Sequence, residues 1–491
     1  MRHLAAKAWY LSFFSMYSLV NPYLNLYYRR LGFNERAVGV LAGIQPWVFG
    51  PSGYFWSAFA DMYRKHKVIL IGTLIASIVC KTLIGFSHAY WLLIGLVALA
   101  QFFTSPSMTI ADTAVVALCK QDGSYGRQRM WGAVGWGISS FVIGGLITVF
   151  GIMAAFVCFP IVGIFTIMAG CALDMSLLTV PDDAEQRDAP QQLELCPTGG
   201  KGKKDTKLVL ETSSEESDGQ SIAVVVVESP NGSSNSETHV STSDAESVGE
   251  DAPEDVNLLA GKQNTCESKE SENELGGSLD GGNASFLSKL KRVLMEPEVA
   301  IFVLMAFLMG IAAGTIENFL FLYLDQLGAP EYLMGLSLLV TCSAEVPIFF
   351  VMDHILRYVG IQATLHMVMG TFIVRLVAYV MLASMGSPWW VLLIEPLHGV
   401  TFGCAWGAGT EYSRRIAPPG LDATLQSIFS GMYFGLGYGT GALVGGAVFK
   451  EFGPRIMFAV TASIVSIGWG ICLVAIAILG TRRSKYQNLQ G

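Results

Sequence analysis

The stretch SPWWVLLIEPLHGVTFGCAWGAGTEYSRRIAPPG, Ser387 to Gly420, decides how the rest of the chain is read. Its first two dozen residues are apolar enough to cross a bilayer, which takes about 20 such residues at a rise of about 1.5 Å each. Glu395 and His398 nevertheless lie inside it. Three residues apart on a helix, they share a face and stand about 4.5 Å apart along the axis. The apolar segment before it carries Arg375 near its middle. An ionisable group at that depth costs about 2.5–3.5 kcal/mol on insertion scales, so it faces a bundle interior or a water-filled cavity. An acid and an imidazole beside an arginine point to a path for protons or polar solutes.

The surrounding composition fits. The 491 residues are 52% hydrophobic and 14% charged, with a mean hydropathy of +0.48, whereas a soluble domain is about 25% charged. Apolar runs long enough to span recur along the chain, which is therefore a polytopic membrane protein. Its net charge of −8 conceals an asymmetry. Between Pro181 and Gly282 there are 23 acids and 7 bases, leaving 16 acids and 24 bases elsewhere. The insert is acidic and the membrane part basic. Nine cysteines form no CxxC pair, so neither a metal site nor a disulfide framework is expected. The first apolar run, 8–28, is too long for a signal peptide and lacks a small-residue cleavage site, so it reads as the first span.

Twelve spans fit, at 8–28, 37–59, 68–86, 91–118, 130–150 and 152–176, then 298–324, 332–352, 362–385, 389–412, 422–449 and 456–480. The expected organisation is an N-terminal six-helix half (1–176), an acidic loop (177–292), a C-terminal six-helix half (293–485) and a tail (486–491). The halves read as duplicates. LYYRRLGFNERAVG (Leu26 to Gly39) aligns with LYLDQLGAPEYLMG (Leu322 to Gly335) at an offset of 296, which also brings Pro51 onto Pro347. Gly144-Gly145 matches Gly445-Gly446 at 301. Two six-helix halves joined by a long loop suit a secondary transporter. Placing the N-terminus inside gives the inner segments fourteen Lys/Arg against five outside. By the positive-inside rule both termini and the long loop are then cytoplasmic.

The loop is rich in Ser, Glu, Asp and Gly, as in TSSEESDGQ, and has too little apolar surface to offset ordering entropy, so disorder is expected. Ser213, Ser214 and Ser217 amid acids are candidate kinase sites, and the apolar run Val224 to Val227 is a candidate contact for a cytosolic partner. The plainer reading of both is a solvated linker.

FWSAFADMYRKHKVIL (Phe55 to Leu70) resembles the loop signature of the major facilitator superfamily, Gly-x-x-x-Asp-Arg-x-Gly-Arg-Arg. Asp61 fits and Lys65 to Lys67 supply the basic tail, while Ser57, Met62 and Arg64 replace Gly, Arg and Gly. With Arg127 and Arg129, Asp61 makes the candidate gating set. YGRQRMWGAVGWG (Tyr125 to Gly137) resembles the entry to span five in one branch of that superfamily. That branch holds lactose permease-like and nucleoside–proton symporter-like proteins and the eukaryotic major facilitator superfamily domain-containing protein six. SAEVPIFF (Ser343 to Phe350), Arg375, EPLHGVTFGCAW (Glu395 to Trp406) and the glycine-rich span eleven continue the resemblance.

The resemblance implies an all-α membrane fold of twelve helices, with sugar and proton binding on the C-terminal half. Glu317, Glu345, Arg375, Glu395 and His398 are then the candidate substrate and proton-coupling residues. Here Glu395 precedes His398, the reverse of the order in lactose permease-like proteins, so their proton route does not carry over. A structural ion pair between helices is the plainer alternative for Arg375. Asn21, which aligns with Glu317, is a cavity-lining candidate with Asn25, Tyr27, Gln45 and Trp406. No proline precedes Gly144-Gly145, unlike the motif of drug–proton antiporters, which favours symport or uniport. No nucleotide-binding Gly-rich loop and no metal-ligand cluster is present, so no enzyme, cofactor, metal or nucleic-acid role is expected. The expected function is secondary transport of a small polar solute, a sugar or nucleoside by resemblance, with proton symport. The alternative is a receptor or scaffold on a transporter fold, its acidic loop binding partners.

Overall fold

The computed structural model describes residues 2–119, 125–175, 208–211, 222–227, 238–241, 291–418 and 421–490. Each apolar segment expected from the sequence is helical. The first is cut by Asn21-Pro22: α1 (Arg2–Val20) passes through a 3-10 turn into α2 (Leu24–Arg30), because Pro22 has no N–H to continue the ladder. Then come α3 (Glu35–Tyr63), α4 (His66–Ile84), α5 (Tyr90–Leu118), α6 (Tyr125–Phe150) and α7 (Met153–Ala172). Asn34 caps α3, its side chain accepting from the Ala37 N–H at 2.9 Å. The second half runs α8 (Pro297–Gln326), α9 (Glu331–Tyr358), α10 (Ile361–Leu382), α11 (Val391–Ile394), α12 (Ala405–Ile416), α13 (Asp422–Ser430) and α14 (Tyr438–Gln490).

Among the described residues eight helices are long and apolar enough to cross a membrane, or nine if the bent pair around Glu395 is one span. That count takes Thr424–Leu479 as a single helix, yet Gly453 (φ 80°, ψ 172°) breaks it ahead of Pro454 into two spans. Of the other expected spans, the first is split at Pro22 and the second, α3, carries Pro46 and Pro51. The outward faces are apolar, with Trp91, Phe150, Leu393 and Ile467 largely exposed, as a lipid-facing surface requires. The fold is the all-α, two-half membrane bundle expected.

The repeat is visible in the backbone. Gly32 (φ 91°) and Gly328 (φ 75°), related by the offset of 296, close the same turn, donating to the carbonyls of Arg29 and Asp325. A side chain at either position would be strained, so glycine stands at both. The halves meet where α3 packs on α14, α6 on α9 and α2 on α8. At the first crossing a Cβ on Gly39 would lie 2.5 Å from the Ala442 carbonyl oxygen, so only glycine permits it.

The insert forms a separate unit, Val180–Asn283. Its described residues are a three-stranded antiparallel sheet: β1 (Leu208–Glu211), β2 (Ile222–Val227) and β3 (Thr238–Ser241). The sequence reading expects no regular structure here; its apolar run Val224 to Val227 lies in the central strand. The expected kinase sites at Ser213, Ser214 and Ser217 lie outside the described residues.

Candidate functional site

Span ten is not the regular helix the sequence reading assumes. Pro396 lacks an N–H and its ring crowds the carbonyl four residues back, so the helix breaks at Glu395-Pro396 and bends by 41°. It resumes at Leu397 and passes after His398 into a π turn, Gly399–Cys404, a wide geometry that recurs at functional sites. Glu395 and His398 still stand within one helical turn, the His398 N–H donating to the Glu395 carbonyl at 2.9 Å. They reach different partners and share Arg375.

Arg375 is 3% exposed and organises the cluster. Its Nη2 meets Glu395 Oε2 at 2.8 Å, its Nε donates to the Tyr379 hydroxyl at 2.9 Å, and its Nη1 lies 2.9 Å from His398 Nδ1. Tyr379 in turn donates to Glu395 Oε1 at 2.6 Å, and Thr341 donates to Glu395 Oε2 at 2.8 Å. Three donors from three side chains hold Glu395 in place. His398 Nε2 lies 2.8 Å from Glu345 Oε1. Arginine only donates, so Nδ1 of His398 accepts and the ring carries its proton on Nε2, toward Glu345. The result is a continuous chain, Glu345–His398–Arg375–Glu395, drawn from α9, α10 and the broken span ten.

Glu317 is exposed although its neighbours Ile316 and Asn318 in α8 are buried at 1% and 7%. A mid-span acid can be exposed only by opening onto a cavity between helices. Its Oε2 accepts from the Tyr438 hydroxyl at 3.2 Å, and it interacts electrostatically with His398 and Arg375. Four of the five core candidates thus form one linked group, and Glu317 faces the same region.

The other candidates divide. Asn25 bridges the halves, donating to the Asn318 carbonyl and to Asn318 Oδ1, both at 3.0 Å. Asn21 accepts from Lys81, and Gln45 accepts from Gln101 at 2.6 Å. Trp406 is half-buried against Phe429 and Phe434. Tyr27 is 3% exposed, bonded to the Ile84 and Gly85 carbonyls and packed on Phe156, which makes it part of the N-half core. The gating candidates are not brought together. Asp61 pairs with His66 at 2.9 Å, Arg129 lies 3.8 Å from Asp112 over the Tyr10 and Phe14 rings, and Arg127 is exposed.

The sequence reading overlooks Lys81, 2% exposed on α4. Its Nζ donates to Asn21 Oδ1 at 2.9 Å and lies 3.8 Å from the centroid of the Tyr17 ring. A lysine in an apolar run is a sequence signal of the same kind as Arg375.

Two pseudo-repeated helical halves enclosing a buried ionisable cluster are the architecture of the major facilitator superfamily. The chain belongs to the MFS_1 like family, whose model matches residues 3–460. It is 26% identical over 196 residues, 40% of this chain and 32% of the other, to major facilitator superfamily domain-containing protein 6-like protein A of Xenopus laevis. Against the maltose permease of Geobacillus stearothermophilus it is 25% identical over 138 residues, 28% of this chain and 34% of that one. The matches span about a third of the length of these curated relatives. The crystal structure of the nucleoside transporter NupG superposes with a TM-score of 0.65 at 13% identity, over 96% of this chain and 98% of that one. That likeness speaks for the fold.

Proposed function

We propose that this transporter carries a small polar solute together with a proton, by rocking its two halves around the central cavity. The supporting observation is the Glu345–His398–Arg375–Glu395 chain. Glu395 is the fixed counter-ion of Arg375. Glu345 and His398, each about an eighth exposed, are the groups that exchange the proton. While Arg375 donates to Nδ1, a second proton on the ring would set two donors face to face. Bending of span ten at Pro396 and the π turn moves His398 relative to Arg375 and frees that nitrogen. Proton affinity then alternates with helix geometry, which is what coupling requires.

The sugar or nucleoside class is supported by what relatives are named for, a maltose permease and a nucleoside transporter. Loop charge supports cytoplasmic termini and insert. Purified full-length protein in liposomes, offered labelled sugars and nucleosides, tests the reading. Glu345→Gln should keep exchange of solute between two pools and lose accumulation driven by a pH gradient. Wild-type accumulation by Glu345→Gln would refute the assigned proton site.

A further inference from the structure

Lys81 is a deeply buried charge that the proton relay leaves unused. It stands on the third span of the N-half, as Arg375 stands on the third span of the C-half. The two cations are satisfied differently. Arg375 has an acid at 2.8 Å, whereas Lys81 makes no ion pair among the described residues. Its contacts are one neutral amide oxygen and aromatic faces, Tyr17 at 3.8 Å and Phe159 at 6.0 Å. The contrast extends to the neighbours. Thr341 bonds Glu395, while Gln45, its counterpart at the offset of 296, bonds the neutral Gln101. Where the C-half supplies a carboxylate, the N-half supplies none.

An ammonium out of water without an opposite charge is costly, and a cation–π contact with one hydrogen bond offsets only part of that cost. Asn21 and Tyr17, which cover the ammonium, are both only partly buried, so the cover borders accessible space. Tyr17 is flanked by Trp136 at 5.8 Å and Phe13 at 6.0 Å, a floor suited to the flat face of a ring.

We propose that Lys81 is the seat for a carboxylate on the transported solute, which replaces the Asn21 amide oxygen as its acceptor while the solute's ring lies on Tyr17. This rests on the transport reading and narrows it to acidic solutes such as sugar acids and ring-bearing carboxylates. It also gives coupling a second leg. The solute's negative charge neutralises the N-half, a proton neutralises one of the C-half acids, and the doubly loaded cavity carries less uncompensated charge through the rocking step.

The test compares pairs that differ in charge on a similar frame: D-glucuronate with D-glucose, and benzoate with benzamide. Binding to the purified full-length protein is read by concentration-dependent thermal stabilisation. In wild type at least one acid should bind tenfold or more tightly than its neutral partner. Lys81→Gln, which keeps a hydrogen bond to Asn21, should erase that preference, and Lys81→Arg should keep most of it. Asn21→Asp places a carboxylate of the protein against Lys81, and should raise the melting temperature while abolishing acid binding. This second variant serves if Lys81→Gln does not fold. No preference for either acid in wild type, including no binding at all, overturns the proposal, as does a preference that survives in both Lys81→Gln and Asn21→Asp. Acid binding that depends on Lys81 without exchange across liposomes would instead uphold the seat and refute transport.

Discussion

Arg30 and Glu331 belong to opposite halves of the bundle, and their side chains form an ion pair across the seam. Thr148 reinforces it from α6, donating to Glu331 Oε2 at 3.1 Å and accepting from the Tyr332 N–H at 3.1 Å. Asp325 lies 3.6 Å from Arg30 and holds it from the other side. The halves are thus latched at the end marked by the repeated Gly32 and Gly328 turns. A partly exposed pair contributes about 0.2–1 kcal/mol. Glu331→Gln should therefore shift the open-to-closed ratio at this end by up to about fivefold. Distances between spin labels at Phe33 and Ala329 report it, and an unchanged distribution would remove the pair from the latch.

The Arg375–Glu395 pair is buried on both sides, so removing one partner strands the other. Arg375→Ala and Glu395→Ala should each cost about 3–5 kcal/mol. Replacing both with leucine should recover most of that loss and leave pH-driven transport dead. Melting curves of the three variants check this; a double variant no more stable than the singles would show that the pair is held by more than mutual charge.

Gly39 predicts an asymmetry within one helix. A methyl group there meets the backbone of α14, whereas one on Gly50, in the same α3, meets open space. Gly39→Ala should cost about 1–3 kcal/mol by overpacking, and Gly50→Ala should gain up to about 1 kcal/mol of helix stability and leave the spacing of α3 from α14 unchanged. Equal effects of the two substitutions on melting would contradict the crossing.

The proposed topology has the insert in the cytoplasm, and the acceptor patterns Asn231-Gly232-Ser233 and Asn283-Ala284-Ser285 lie in or at the edge of that insert. Both asparagines should remain unmodified in cells that glycosylate. A mass shift removed by glycosidase and traced to either asparagine would invert the topology.

The ionisable cluster was legible because bilayer depth makes charge conspicuous: Glu345, Arg375, Glu395 and His398 each interrupt an apolar run. Their pairing was not. Helix spacing puts Glu395 and His398 on one face, where both meet Arg375, but it does not reveal that the first also takes Tyr379 and Thr341 and the second Glu345. Lys81 escaped notice because a lysine three residues from the end of α4 reads as one that snorkels to the interface. The fold keeps it inside, against Tyr17. The seam was out of reach altogether, since Arg30 and Glu331 are separated by 301 residues and no local pattern joins them.

The π turn in span ten also bears on how the two halves came to differ in length. Their alignment drifts from an offset of 296 at Pro51 and Pro347 to 301 at Gly144 and Gly445. Between those points the C-half is five residues longer, and the two π stretches, Gly399–Cys404 and Gly431–Gly437, lie in that interval. A π turn closes its hydrogen bond five residues on instead of four, so it stores about one extra residue without ending the helix. Deleting one residue from Gly399–Cys404 would return span ten to α geometry while leaving the register beyond it largely in place. The two halves thus differ in winding as well as in length, and the altered winding in span ten begins directly after His398.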